Sequence, residues 1–419
     1  MDRVKLGEIS EVTVGFVGTM TKHYSSTGVK FFRSLNVRPF EIETSNIKYI
    51  SESFAKSIDK SSLQAGDLVI VRTGNPGTCA YVPEELSGSN CSDLVIVRPD
   101  IQKVNPRYLE AFINTYGGHQ IAHHKVGAIQ KHFNVSSAQE LVIAIPHRDD
   151  QDRIASLIQA INDKIANNKK LMTELEATAC LIYDYWFTQF DFPDENGSPY
   201  RSSGGPMVYN ETLCRDIPAG WKVGALGDLG TIVSGATPST SEESYYAHDG
   251  IAWITPNDLA DSLNPMHVWR GARSISRAGF ESCSAVMMPP GSIIMSSRAP
   301  IGYLAVASSD CCTNQGCKSL IPSSSYGTYF VFFSMQRLMP LIKSQGVGTT
   351  FTEVSKETLA SVPLALPPSG LARGFEKRIA PSCKLIMALE QEGAKLTALR
   401  NWLLPMLMNG QVSVGGHSD

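Results

Sequence analysis

The sequence is short of several things, and each shortage narrows what the chain can be. No stretch approaches the roughly 18 consecutive apolar residues of a membrane span, so no membrane association is expected. The start, MDRVKLGEIS, lacks the apolar core of a secretory signal, and a cytoplasmic protein is expected. The nine cysteines are odd in number and include no CxxC pair, which argues for reduced thiols over a disulfide framework. Cys311, Cys312 and Cys317 come closest to a cluster; without zinc-site spacing they read as packing residues. His119 and His123 have i, i+4 spacing beside His124, but no carboxylate is near in sequence, so a polar surface is expected and no metal. Basic excess is also missing. A net charge of −3 and a pI near 6.3 count mildly against a nucleic-acid binder working alone, unless basic residues cluster on one face.

Catalytic signatures are missing too. No GxxxxGK[ST] phosphate loop occurs. The two Pro-Pro pairs, Pro289-Pro290 and Pro367-Pro368, follow Met288 and Leu366, where an amino-methyltransferase motif wants Asn, Asp or Ser. No lysine has Asp or Glu two residues before it, which removes the acid-X-Lys end of the common nuclease arrangement, where the acid holds a metal and the lysine polarises water. The expectation is a chain that is not itself an enzyme.

What is present is length, repetition and two long amphipathic segments. At 419 residues, 42% hydrophobic and 18% charged, the chain has room for two or three domains. LGEI (Leu6–Ile9) matches LGDL (Leu226–Leu229), and LQAGDLVIVRTGNPGTCAYV (Leu63–Val82) matches MPPGSIIMSSRAPIGYLAVA (Met288–Ala307). VGAIQKHFNVSSAQELVIAIP matches VGTTFTEVSKETLASVPLALP. The offset stays within 220–225 residues, far too long for a solenoid, so one domain-plus-helix unit occurs twice. Each copy carries short strands and Gly/Pro turns and then runs into a helix, an α+β pattern.

The first helix shows a heptad seam. Stepping alternately four and three residues passes Ile154, Ile158, Ile161, Ile165, Asn168, Met172, Leu175, Ala179, Ile182 and Trp186, all apolar except Asn168. At 1.5 Å per residue the pattern describes a rod of roughly 50 Å. The second helix offers Ile379, Cys383, Ile386, Leu389, Leu396, Leu399, Leu403 and Met406, weakened at Glu392–Gly393. Matching stripes in one chain predict an antiparallel two-helix coiled coil separating two similar domains by a pseudo-two-fold repeat. The expected boundaries are 1–147 for the first domain, 148–189 for the central helix, 190–220 for a surface linker, 221–368 for the second domain and 369–412 for the terminal helix.

DQDRIASLIQAINDKIANNKKLMTELEATACLIYDYWFTQFDF in the centre, IPAGWKVGALGDLGTIVSGATPS at the start of the second domain and LTALRNWLLPMLMNGQV near the end resemble the DNA-specificity subunits of type I restriction-modification enzymes, over nearly the whole chain. The resemblance implies two target-recognition domains reading the halves of a bipartite sequence in double-stranded DNA. It also implies helices that dock two methylating subunits, and restriction subunits joining them. S-adenosylmethionine, ATP and magnesium are then expected on those partners and no cofactor on this chain. The alternative is an assembly scaffold, or an inhibitor that sequesters methylating subunits without reading DNA.

Base edges are read mainly by Arg, Lys, Asn, Gln, Ser and Thr presented from loops. In the first domain this selects Lys22 and His23, then Arg72, Thr73 and Asn75 of RTGNPG, then Gln130, Lys131 and His132. In the second it selects Thr237 and Ser239, Arg298 of SRAPIG, Asn314, Gln315 and Lys318 of TNQGCK, and Gln345, Thr349 and Thr350. Arg72 and Arg298 stand at nearly matching places after apolar strands. They are the sharpest base-reading candidates, against the plainer expectation that they pair with carboxylates such as Asp67 or Asp310. Gly77 and Gly302, at matching places, are expected to serve turns.

Overall fold

A computed structural model describes residues 1–124 (the helix alone at 122–124), 133–260, 265–347 and 352–415. Among them no helix is long and apolar enough to cross a membrane. The chain divides into two compact units, Met1–Asn167 with Gly393–Asp419, and Asn168–Glu392.

The strands of the first unit are β1 (Asp2–Lys5), β2 (Ser10–Val14), β3 (Tyr24–Ser25), β4 (Val29–Phe32), β5 (Lys48–Ile50), β6 (Leu68–Val71), β7 (Cys79–Tyr81), β8 (Asn90–Cys91), β9 (Leu94–Pro99) and β10 (Val142–Ile145), besides a short pair at Val37–Arg38 and Glu41–Ile42. β1 pairs with β10, one sheet has the order β2-β9-β6-β7, and another the order β8-β4-β5-β3. In β6 all four residues, LVIV, are buried, so both faces of that strand are covered and the run is apolar without alternation.

The second unit repeats this element for element, with β11 (Lys222–Ala225), β12 (Gly230–Ser234), β13 (Tyr246–Ala247), β14 (Ile251–Ile254), β15 (Arg273–Ile275), β16 (Ile293–Ser296), β17 (Leu304–Ala307), β18 (Cys311–Thr313), β19 (Cys317–Pro322) and β20 (Pro363–Leu366). β11 pairs with β20, and the sheets have the orders β12-β19-β16-β17 and β18-β14-β15-β13, the first extended by an edge strand at His267–Val268. Even the parallel pairs correspond, β8 with β4 and β18 with β14. The fold is α+β with an internal repeat, as the offsets predict.

Helix α1 (Pro106–Phe112) starts on an Asn105 cap with proline in its first turn, an arrangement that satisfies free backbone N–H groups. α2 (Arg148–Tyr183), α3 (Thr328–Ser344) and α4 (Ser369–Met408) complete the main helices. In the first unit, Ile154 and Ile158 of α2 and Leu404, Leu407 and Met408 of α4 join the core formed by Leu68, Ile70, Val95 and Tyr108. In the second unit, Ala179 and Tyr183 of α2 and Phe375, Ile379, Cys383 and Ile386 of α4 join Ile293, Met295, Phe330 and Phe333. Within each unit the helices pair antiparallel.

The two irregular points of the seams meet each other. Asn168 Nδ2 donates to Glu392 Oε2 at 2.7 Å, and Asn168 is buried. Arg400 Nη1 donates to Asn162 Oδ1 at 2.7 Å in the first unit, and Glu390 lies 2.8 Å from the buried His267 ring in the second. These polar residues explain a correction. The buried stripe of α4 runs through Ile379, Cys383, Ile386 and Leu389, with the Glu390 carboxylate enclosed beside it, and then Leu404 and Leu407, while Leu396 and Leu403 are only half-buried and Leu399 is exposed. Following leucines alone steps off the stripe where Glu390 and Arg400 stand beside it. In α2, Ile154, Ile158, Ile161 and Ala179 are buried, Ile165, Met172 and Leu175 half-buried, and beyond Ala179 the buried positions pass from Ile182 and Trp186 to Tyr183 and Phe187.

The linker expectation for 190–220 is also corrected. Phe190 is fully buried, Phe192 stacks on Tyr200 at 4.6 Å, and strands Met207–Asn210 and Arg215–Pro218 form a hairpin. The Gly and Ser content makes the turns, including left-handed Gly197 and Gly204, while the aromatics supply a small core with Trp221.

Replacing Asn168 by Ala removes a hydrogen bond to a charged group and is expected to cost about 1.5–3 kcal/mol. A joint Asn168→Leu, Glu392→Leu change should recover most of that, since an apolar pair suits the seam. Urea unfolding of the three proteins checks this; an unaltered midpoint for Asn168→Ala would refute it.

Candidate nucleic-acid interface

In the first domain β6 delivers the chain from the core into RTGNPG. Gly77 has φ +98°, and a Cβ there would lie 2.7 Å from the Gly118 nitrogen, so only glycine lets the loop pack on the start of the helix Gly118–His124. Gly302 repeats this with φ +109° against Met339 and Lys343 of α3. Both serve turns.

Arg72 turns inward. Its Nε donates to the Phe133 carbonyl at 2.9 Å and its Nη1 lies 3.2 Å from Asp93 Oδ1, while Thr73 Oγ1 donates to Asp93 Oδ2 at 2.7 Å. Arg298 is more open, with 37% of its side chain exposed against 14% for Arg72, and lies 3.7 Å from Glu353. Strand register explains the difference. Val71 pairs with Leu94, and Ser296 with Cys317, so the residue equivalent to Arg72 is Ser297 and the equivalent of Arg298 is Thr73. One residue of slip in an extended chain turns a side chain to the opposite face. Ser297 is fully buried, and its carbonyl accepts from Val354 N at 3.0 Å, beside the same segment that Arg72 grips at Phe133. That segment starts a helix in both copies, capped by Asn134 and by Ser355.

The carboxylates are therefore Asp93 and Glu353 rather than Asp67 or Asp310. Asp67 lies 3.5 Å from Arg98, and burial raises its carboxyl above the ordinary range, which Arg98 and the Gln64 N–H only partly offset. Glu353 also receives Lys318 Nζ at 3.1 Å; Lys318 is buried on β19 and further bonded to the Gln315 carbonyl. The Gln315 side chain in turn contacts Thr237 Oγ1. Thr237, Gln315, Lys318 and Arg298 thus form one connected polar cluster around Glu353.

The remaining candidates are dispersed. Asn314 Oδ1 accepts from Gly316 N at 2.9 Å and holds its own turn, Ser239 pairs with Ser241 at 2.8 Å, and Gln345 closes α3 half-buried. Lys22 and His23 are exposed, with His23 stacked on Phe54 at 3.9 Å, and exposed Asn75 shares a shallow hollow with Asn114 and His119. Gln130, Lys131, His132, Thr349 and Thr350 lie outside the described residues, as do the side chains of His123 and His124. Cys311, Cys312 and Cys317 are buried on β18 and β19, and burial pushes their thiols up to about 12. Sequence reasoning missed Asp93 and Glu353; an isolated acid in a loop carries no signal of the arginine it will meet.

The family model described as the type I restriction modification DNA specificity domain matches residues 1–177 and 218–380. The MjaIX specificity subunit of Methanocaldococcus jannaschii is 35% identical over 161 residues, 38% of this chain and 37% of that protein. The HindI specificity subunit of Haemophilus influenzae is 24% identical over an alignment of 433 positions, covering 90% of this chain and 92% of the relative. The crystal structure of a type I S subunit from M. genitalium aligns over 97% of this chain and 95% of the other, with a TM-score of 0.57 at 12% identity, and shows the shared fold.

The opposite placement of the two arginines gives opposite expectations. Arg298→Ala should relax one position of a bound DNA sequence by about 1–3 kcal/mol and leave stability near wild type. Arg72→Ala should instead lower stability by about 1.5–3 kcal/mol through the lost Phe133 bond. Selection from a randomised duplex pool, with thermal unfolding alongside, checks both; a base preference altered by Arg72→Ala alone would reverse the assignment.

Proposed function

The chain belongs to the type I restriction modification DNA specificity family, and from that premise we propose that it is the non-catalytic subunit that selects DNA for a restriction-modification complex, each domain reading one half of a bipartite double-stranded target. The observation that supports this best is the duplicated reader. The same strand order occurs twice, and the loops after equivalent strands carry Arg72 and Thr73 in the first copy and Thr237, Arg298 and Gln315, beside Lys318 on β19, in the second. Loops on a rigid scaffold can change the base read without changing the fold. The paired helices set the unread spacer between the half-sequences.

Two copies of a methylating subunit are the proposed partners, with restriction subunits joining them. S-adenosylmethionine belongs to the former, ATP and magnesium to the latter. Support for paired docking comes from large apolar side chains left in solvent at repeat-related places. Leu181 of α2 is 68% exposed and Trp402 of α4, 221 residues on, is 64% exposed; Tyr185 and Leu399 lie beside them, also exposed. Exposed large apolar groups of this kind mark interaction surfaces.

Selection of duplexes by the reconstituted complex is expected to return two short half-sequences around a fixed spacer. A complex without sequence preference would make the chain an assembly scaffold or inhibitor instead. Leu181→Asp and Trp402→Asp are each expected to remove one methylating subunit, and together both, read from the mass of the complex. Full occupancy in the double variant would rule out this docking surface.

A further inference from the structure

The sheets β8-β4-β5-β3 and β18-β14-β15-β13 share a feature that the base-reading loops do not account for. Tyr24 of β3 pairs with Ile50 of β5, and Tyr246 of β13 pairs with Ile275 of β15. Lys48 and Arg273, each two residues before that isoleucine, therefore occupy the same place in the two copies. In both, the cation lies on the tyrosine ring: Lys48 Nζ is 5.9 Å from the Tyr24 centroid, and Arg273 Cζ is 4.0 Å from that of Tyr246. The sheet does not require this, since the flanking residues differ, HYSS against YYAH and IKYI against ARSI.

These two cations also differ from several basic residues of their domains. Arg72, Arg298, Lys318, Arg270 and Arg277 each lie within ion-pair distance of a carboxylate. Among the described residues, no carboxylate lies within that distance of Lys48 or Arg273. A ring face holds a cation in place while leaving its N–H donors for an anion. The tyrosines begin strands that follow loops carrying recognition candidates. Tyr24 directly follows Lys22 and His23, and Tyr246 Oη donates to the Pro238 carbonyl at 3.1 Å, between Thr237 and Ser239. In the second domain Arg273 lines a depression with Arg270 and His248.

We propose that Lys48 and Arg273 are equivalent DNA-backbone contacts, one in each domain, each taking a phosphate and each aimed by its tyrosine. They position the duplex against the base-reading loops and read no base themselves. This rests on the reading of the chain as a DNA-specificity subunit.

The test uses the full chain assembled with its methylating subunits, binding its selected duplex and a random duplex across a salt series. Lys48→Ala and Arg273→Ala should each weaken both duplexes by the same factor and lessen the slope of log K against log salt by about 1, the double variant by about 2. Arg273→Lys should keep the slope, and Tyr246→Leu should keep it while weakening both duplexes. An unchanged slope in both alanine variants, or the loss of a single base preference, would overturn the proposal. Wild-type protein that prefers no duplex would overturn the specificity reading itself, whereas a selective wild type whose variants keep its slope would overturn only this inference.

Discussion

Everything in this fold depends on two helices being shared between their own pairing and the cores of the domains. A helix of 36 or 40 residues is held chiefly by what buries its apolar face. Here that burial is divided. In one unit Ile158 and Leu407 complete the core beneath β6 and β9; in the other Tyr183 and Ile379 complete the core beneath β16 and β19. Neither helix can shift along its axis without unpacking a domain. The seam's polar positions reinforce the constraint, because Asn168 with Glu392, and Asn162 with Arg400, are satisfied in one register only.

The same economy governs charge. A net charge of −3 says little about DNA, because basic residues near the candidate loops are sorted by partner. Arg72 and Lys318 face inward, meet Asp93 and Glu353 and hold loops against sheets; Lys318 is the clearest case, a buried ammonium made tolerable by a carboxylate and a carbonyl. A positioned loop and an available cation are separate requirements, met by different residues.

Much of the architecture is legible in the residues. The offset of 220–225 implies two like domains, and the structure repeats ten strands in the same order. The stripe from Ile154 implies a paired helix, and Asn168 stands out as its exception. Composition misled at 190–220, where glycine and serine masked an aromatic core, and at Leu399, where a leucine count strayed from the buried stripe.

The site was only half legible. Residue type could nominate Thr237, Gln315 and Arg298, and the sequence by itself determined the repeat, the helical stripes and this pool of polar loop residues, because periodicity and chemistry are local properties. Which member of the pool faces solvent was decided by the tertiary structure alone. Side-chain direction alternates with every residue of an extended chain, so a slip of one separates Arg72 from Arg298. The carboxylates these loops meet, Asp93 and Glu353, arrive from segments about 20 and 55 residues away that no local pattern connects.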